Sequence, residues 1–203
     1  MNNKLIILQW HITNRCNKRC KHCYIDDYNG AELTINNLLE IRKEYIKLLD
    51  EYNKDNNCTL KGQINITGGE PFHYKDIWTL FDFFKNNNDK FDFSVLTNGL
   101  YLNEENVKRL KSYNPKFVQI SLDGNKFTHD NIRGKGSFEE VKRALYNLHK
   151  YKTYKVWTDR MVPIGSNNKN NVHTLNSEML KEYITIIRKE KLKIINKISK
   201  IKI

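Results

Sequence analysis

Five short segments, residues 5–12, 63–67, 91–96, 117–122 and 155–162, are apolar or alternate apolar with polar positions, and the chain between them is far more polar. Segments of this length, bounded by turn-forming residues, predict strands. Between them the apolar positions change to steps of three and four, which predicts helices over 35–52, 76–86, 104–112, 138–151 and 178 to about 200. In the first of these, Ile35, Leu38, Leu39, Tyr45, Ile46, Leu49 and Tyr52 form one buried face. Thr34 is placed to cap its start, and Ser137-Phe138-Glu139-Glu140 has the spacing of a capping box at the head of the fourth. Strands alternating with helices predict an α/β fold with a parallel sheet and right-handed crossovers.

A chain of 203 residues can bury one sizeable core, and no repeat or Gly/Ser linker divides it. Residues 50–57 and 166–171, rich in Asn, Lys and Asp, read as solvated loops. There is no run of about 18 apolar residues and no signal-like start, so a cytoplasmic protein without a membrane partner is expected. Half of the net charge of +12 lies in residues 181–203. Ile184, Ile187, Leu192, Ile194, Ile195, Ile198 and Ile201 form a stripe there without stacking aromatics, which predicts a basic amphipathic helix over 166–203 in place of a nucleic-acid surface. A basic surface suits an acidic peptide or an acidic electron donor.

The candidate chemistry begins just after the first strand. Cys16, Cys20 and Cys23 stand in a Cys-x3-Cys-x2-Cys run, and three thiolates can hold three irons of a 4Fe–4S cluster while leaving the fourth open. Disulfides fit poorly, because only the distant Cys58 remains as a further partner. Zinc would need a fourth ligand, for which His22 is the local candidate. Cys58 reads as an incidental reduced thiol. The second strand runs into Gly68-Gly69-Glu70-Pro71, where two residues without side chains allow close backbone approach to a ligand. Asn98-Gly99 and Asp123-Gly124 are turn dipeptides, with Asp123 able to close an Asx turn.

With these segments, Thr97-Asn98-Gly99, Gln119-Ile120-Ser121-Leu122-Asp123-Gly124 and His129-Asp130-Asn131-Ile132-Arg133-Gly134, the chain resembles radical S-adenosylmethionine (SAM) enzymes over about residues 4–165. The resemblance implies a partial TIM-like (β/α) barrel, of which about five units are present over 1–165. It implies a 4Fe–4S cluster on Cys16, Cys20 and Cys23, and SAM as second cofactor. His22 would lie with its backbone against adenine, Gly68, Gly69 and Pro71 would meet the methionine amino group, and Glu70 would brace that loop. Asn98, Asp123, Ser121 and Arg133 complete the expected cofactor site, Arg133 as a fork for the SAM carboxylate. Trp10 and Tyr24 are expected to pack around the cysteine loop, and Asp159 and Arg160 to face the substrate; no catalytic acid or base is named.

Nearly all of these positions fall at C-terminal strand ends, where barrel sites are built. The implied activity is reductive cleavage of SAM to a 5′-deoxyadenosyl radical that modifies a ribosomal peptide, with a flavodoxin- or ferredoxin-type electron donor. A glycyl-radical activase and a sulfatase maturase are alternatives. The peptide-modifying members often continue into a cysteine-rich SPASM or twitch domain, but no cysteine follows Cys58 and no sixth strand is evident. A truncated, non-catalytic remnant that binds a cluster or a peptide is therefore the reading from a different class.

Overall fold

The computed structural model describes residues 6–30, 32–87 and 89–151 and the backbone of 155–159. Five strands, β1 (Ile7–Thr13), β2 (Gly62–Gly68), β3 (Phe91–Thr97), β4 (Phe117–Ser121) and β5 (Lys155–Asp159), form one sheet in the order β1-β2-β3-β4-β5. Every neighbouring pair is parallel. A spatial order equal to the chain order is the connectivity of a β/α barrel wall, since a doubly wound sheet reverses partway. The crossovers carry α1 (Ile35–Asp55), α2 (Ile77–Lys85), α3 (Glu104–Tyr113), α4 (Lys126–Arg133) and α5 (Ser137–Lys150), with a single 3-10 turn at Pro71–His73 before α2.

The two faces of the sheet differ in chemistry. Trp10, Ile12, Ile64, Ile66, Phe91, Phe93, Val95, Val118 and Ile120 are buried on the helix side, with Leu38, Leu49, Leu80, Phe81, Phe84, Leu110, Val141 and Leu148 from the helices. Rings mesh there: Phe81 and Phe84 each lie 5.2 Å from Phe93, centroid to centroid. The other face carries Gln9, Asn65 and Ser94 in register across three strands. Asn65 Nδ2 donates to Gln9 Oε1 at 3.1 Å, and Gln63 Nε2 lies 3.1 Å from Asn65 Oδ1 and 3.0 Å from Ser94 Oγ. Parallel strands covered by apolar layers on both sides read as continuous hydrophobic runs. Amides and hydroxyls on the inner face instead suit water or a polar ligand.

Several local expectations change. Residues 50–57 are no loop: α1 continues to Asp55, and Asn57 ends the turn at φ 46°. The Asn53 side chain bonds both the N–H and the C=O of Leu60, at 2.7 and 3.0 Å, so the polar residues here close the helix exit. Thr34 caps α1 with Asn37 as its reciprocal partner. Ser137 does not cap α5; it sits inside the first turn, and Asp130 takes the cap, accepting from Phe138 N at 2.8 Å and Gly136 N at 3.1 Å. A carboxylate delivered from α4 offers the helix N-terminus both charge and two acceptors, which a serine hydroxyl cannot match.

The helix α4 itself has no counterpart in the hydrophobic pattern, because the residues it buries are His129 and Arg133. Trp10 packs on the helix side against Phe84, 6.4 Å between centroids, and not around the cysteine loop, since its place in β1 turns it outward. The expected end of the fifth strand at Val162, Arg160, residues 166–171 and the basic helix over 166–203 lie outside the described residues, as does the Asp159 side chain.

Phe81 is fully buried at the centre of the ring cluster. Phe81→Ala should therefore lower unfolding stability by about 3–5 kcal/mol in urea denaturation. A loss below about 1 kcal/mol would place the main core elsewhere.

Candidate functional site

The loop after β1 holds the cysteines and is fastened from two directions. Gly69 N donates to Thr13 O at 2.7 Å and Glu70 N to Arg15 O at 2.8 Å, so the β2 exit lies directly on the backbone that leads to Cys16. A Cβ at Gly69 would stand 2.2 Å from Arg15 O, and one at Gly68, where φ is +130°, 2.3 Å from Thr13 O. The double glycine is required because two main chains touch. From the other side, Lys21 N donates to Ile132 O in α4 at 3.0 Å, and Lys18 pairs with Glu140 of α5.

Glu70 is fully buried and ties three elements together. Its Oε1 accepts from Thr97 Oγ1 at 2.7 Å and Phe72 N at 3.2 Å, and its Oε2 from Asn98 N at 2.8 Å. Burial pushes its carboxyl up to about 7, against the lowering effect of those donors. Pro71 behind it opens the 3-10 turn and is buried.

A cavity of about 340 Å³ opens at the strand ends. Of the residues singled out in the sequence, Cys16, Cys20, His22, Cys23, Gly68, Gly69, Asn98, Ser121 and Arg133 line it, as does Tyr24. Glu70, Pro71 and Asp123 do not line it. Of the remaining lining, Gln9, His11, Lys18, Thr67 and Leu96 went unnoticed in the sequence, and Thr97 and Gln119 entered only as parts of motifs, with no role given. The signal was there: polar residues at alternate positions in β1 and β4 mark the inner face. Asn98 is both turn and site, since its Oδ1 accepts from Leu100 N at 3.0 Å while its Nδ2 donates to Asn17 Oδ1 at 2.7 Å.

All four cysteines are free thiols. Cys58 is exposed, 3.2 Å from Asn53 Oδ1 and remote from the cavity lining. Each of the other three sulfurs has a donor. Lys18 N reaches Cys16 Sγ at 3.4 Å, Arg133 Nη1 reaches Cys20 Sγ at 3.7 Å, and the Tyr28 hydroxyl interacts with the Cys23 thiol. That last interaction pushes the Tyr28 phenol up to about 12. Burial raises the Cys16 and Cys20 thiols; at Cys20 the Arg133 guanidinium works against it. Burial, followed by the nearby Arg133 charge, lowers the His22 imidazole.

Asp123 does not close an Asx turn. Its carboxylate is buried and grips Arg133, accepting from Nε and, at 3.3 Å, from Nη2. A guanidinium one helix away is a stronger partner for a buried carboxylate than a neighbouring backbone amide.

Residues 10–178 match the Radical SAM superfamily. The chain belongs to the Radical SAM superfamily. It is 35% identical over 146 residues to the mycofactocin maturase MftC of Mycolicibacterium smegmatis, covering 70% of this chain and 34% of that protein. It is 34% identical over 139 residues to the antilisterial bacteriocin subtilosin biosynthesis protein AlbA of Bacillus subtilis, covering 67% of this chain and 29% of that protein. The chain thus spans about a third of the length of these curated relatives. Native anSMEcpe with bound AdoMet shares the fold at a TM-score of 0.56 and 24% identity, over 75% of this chain and 43% of that one.

Radical SAM membership carries the 4Fe–4S cluster and SAM as cofactors, and the residues present fit both. Three unpaired thiols on one fastened loop, each with a hydrogen-bond donor, suit a cube that gives each cysteine its own iron. The cavity beside the sulfurs is walled by four strands, with Gln9, Thr67, Thr97 and Ser121 among its lining.

Glu70 holds its proton more tightly folded, near pH 7, than its ordinary value of 4.5. Its contribution is therefore greatest below about pH 4.5 and is lost as pH rises through about 7, on the order of 3 kcal/mol in all. Relative to Glu70→Gln, the cluster-free protein should lose urea stability steadily from pH 5 to pH 8. A stability difference independent of pH would show that Glu70 is charged throughout.

Proposed function

We propose that this chain is the SAM-cleaving core of a maturase that acts on a ribosomally made peptide. The observation that carries the reading is the arrival of Cys16, Cys20 and Cys23 as free thiols at the wall of a cavity that also holds Gly68, Gly69, Asn98 and Ser121. In this role the three cysteines each ligate one iron, and the Gly68–Gly69 backbone and Ser121 position SAM beside the open corner. His22 offers its backbone to the adenine, while Asn98 fixes the lip of the cavity against the cysteine loop. Glu70, Pro71 and Asp123 act one layer back, holding the loops that touch the cofactors. When bound, the cluster and SAM together supply a 5′-deoxyadenosyl radical, which abstracts hydrogen from the substrate.

The peptide assignment has two supports. Relatives that match across this core are named for maturation and for bacteriocin biosynthesis. The inner face carries Gln9 and Asn65, whose carboxamides bond one another across β1 and β2, and a peptide backbone has the same hydrogen-bonding chemistry as that layer. The exposed Arg19 and Lys21 beside Cys20 suit an acidic flavodoxin- or ferredoxin-type electron donor, and the reducing cytoplasm suits both thiols and cluster.

Anaerobically reconstituted protein given SAM and dithionite should form 5′-deoxyadenosine, and Cys16→Ala, Cys20→Ala and Cys23→Ala should each reduce it to background. A loaded wild-type protein without product would contradict the enzymatic reading and favour the cluster-binding remnant. Incubation with peptides encoded beside the gene should then give a mass change; a change confined to a sulfatase or a glycyl-radical partner would reject the peptide.

A further inference from the structure

We infer that Arg133 tunes the cluster itself: its Nη1–H donates to the Cys20 sulfur and raises the cluster's reduction potential, with Asp123 as the residue that positions it. The inference rests on the cluster reading above, and it gives Arg133 a task in addition to the carboxylate fork that the resemblance implied.

The geometry divides the donors of the guanidinium. The Nε–Nη2 edge, the one that makes side-on bidentate contacts, is taken by the buried Asp123 carboxylate. Nη1 and the second N–H of Nη2 remain, and Nη1 lies 3.7 Å from Cys20 Sγ. Arg133 is 9% exposed, so solvent screens the contact weakly. Asp123 is itself held from behind, its N–H donating at 3.2 Å to Nδ1 of His129, which is 0% exposed. Lys21 N is bonded to Ile132 O, which ties the residue after Cys20 to the residue before Arg133.

The helix that delivers the guanidinium also caps α5 through Asp130, but that contact does not require a buried cation. The residues α4 buries are His129 and Arg133, so apolar burial does not explain its docking on the cysteine loop. The other donors at Cys16, the Lys18 amide and the Asn98 carboxamide, are neutral. Among the described residues whose hydrogen bonds to the three sulfurs are seen, Arg133 brings the positive charge. One electron added to the cluster increases the negative charge on its thiolates, and a cationic donor stabilises that state more than the oxidised one.

The test is the midpoint potential of the reconstituted cluster, read by electron paramagnetic resonance without SAM, in wild type, Arg133→Gln and Arg133→Lys. Arg133→Gln should disfavour reduction about tenfold, a fall of about 59 mV for one electron, and Arg133→Lys should fall by less. An unchanged midpoint in loaded Arg133→Gln overturns the proposal. If both variants fold by circular dichroism yet hold no iron, Arg133 retains the cluster and the tuning role is likewise overturned. A wild type that takes up no cluster is a separate result, which defeats the underlying reading and not this inference alone.

Discussion

Two main chains in direct contact set the terms for the rest of this structure. The β2 exit and the β1 exit are joined by Gly69 N–H to Thr13 O and Glu70 N–H to Arg15 O, and the contact exists only because residues 68 and 69 have no side chain. It fixes where the cysteine loop leaves the sheet. Glu70 extends the same joint to β3 through Thr97 and Asn98, so one buried carboxylate aligns three consecutive strand ends. A loop long enough to carry three cysteines would otherwise have many conformations to lose on binding a cluster, and fastening its start removes much of that cost in advance.

The far side of the loop is held by a different device. Polar burial replaces apolar burial in α4, where His129, Asp123 and Arg133 form a connected hydrogen-bonded set behind Cys20 in which the buried His129 Nε2 has no partner among the described residues. Such a set is unfavourable when half-satisfied, so each member depends on the others being in place. The same helix contributes Asp130 to the start of α5. One short helix therefore links the cysteine loop, the fourth strand end and the next helix of the barrel wall.

The strands and the four longer helices were legible because their buried residues are apolar, and the hydrophobic period reports only those. The helix α4 was invisible for the same reason, since its buried positions four apart are His129 and Arg133. The cysteine run could be read because ligation demands local spacing, whereas the inner wall is assembled from single residues of separate strands. His11, Thr67 and Gln119 acquire a common purpose only once the strands are aligned. Ser137 shows the limit of motif reading: its spacing was right for a cap, but Asp130, distant enough to escape a local pattern, took the position. Asp123 likewise looked like a turn residue until the fold brought it to Arg133.

The central claim is that this fastened loop holds one cubane through three cysteines and leaves an iron free. Iron and sulfide analysis of anaerobically reconstituted protein, combined with Mössbauer spectroscopy with and without SAM, tests it most directly. The account predicts about four irons and four sulfides per chain, with one iron changing its signal when SAM is added. Fewer irons, or four that are indifferent to SAM, would contradict it.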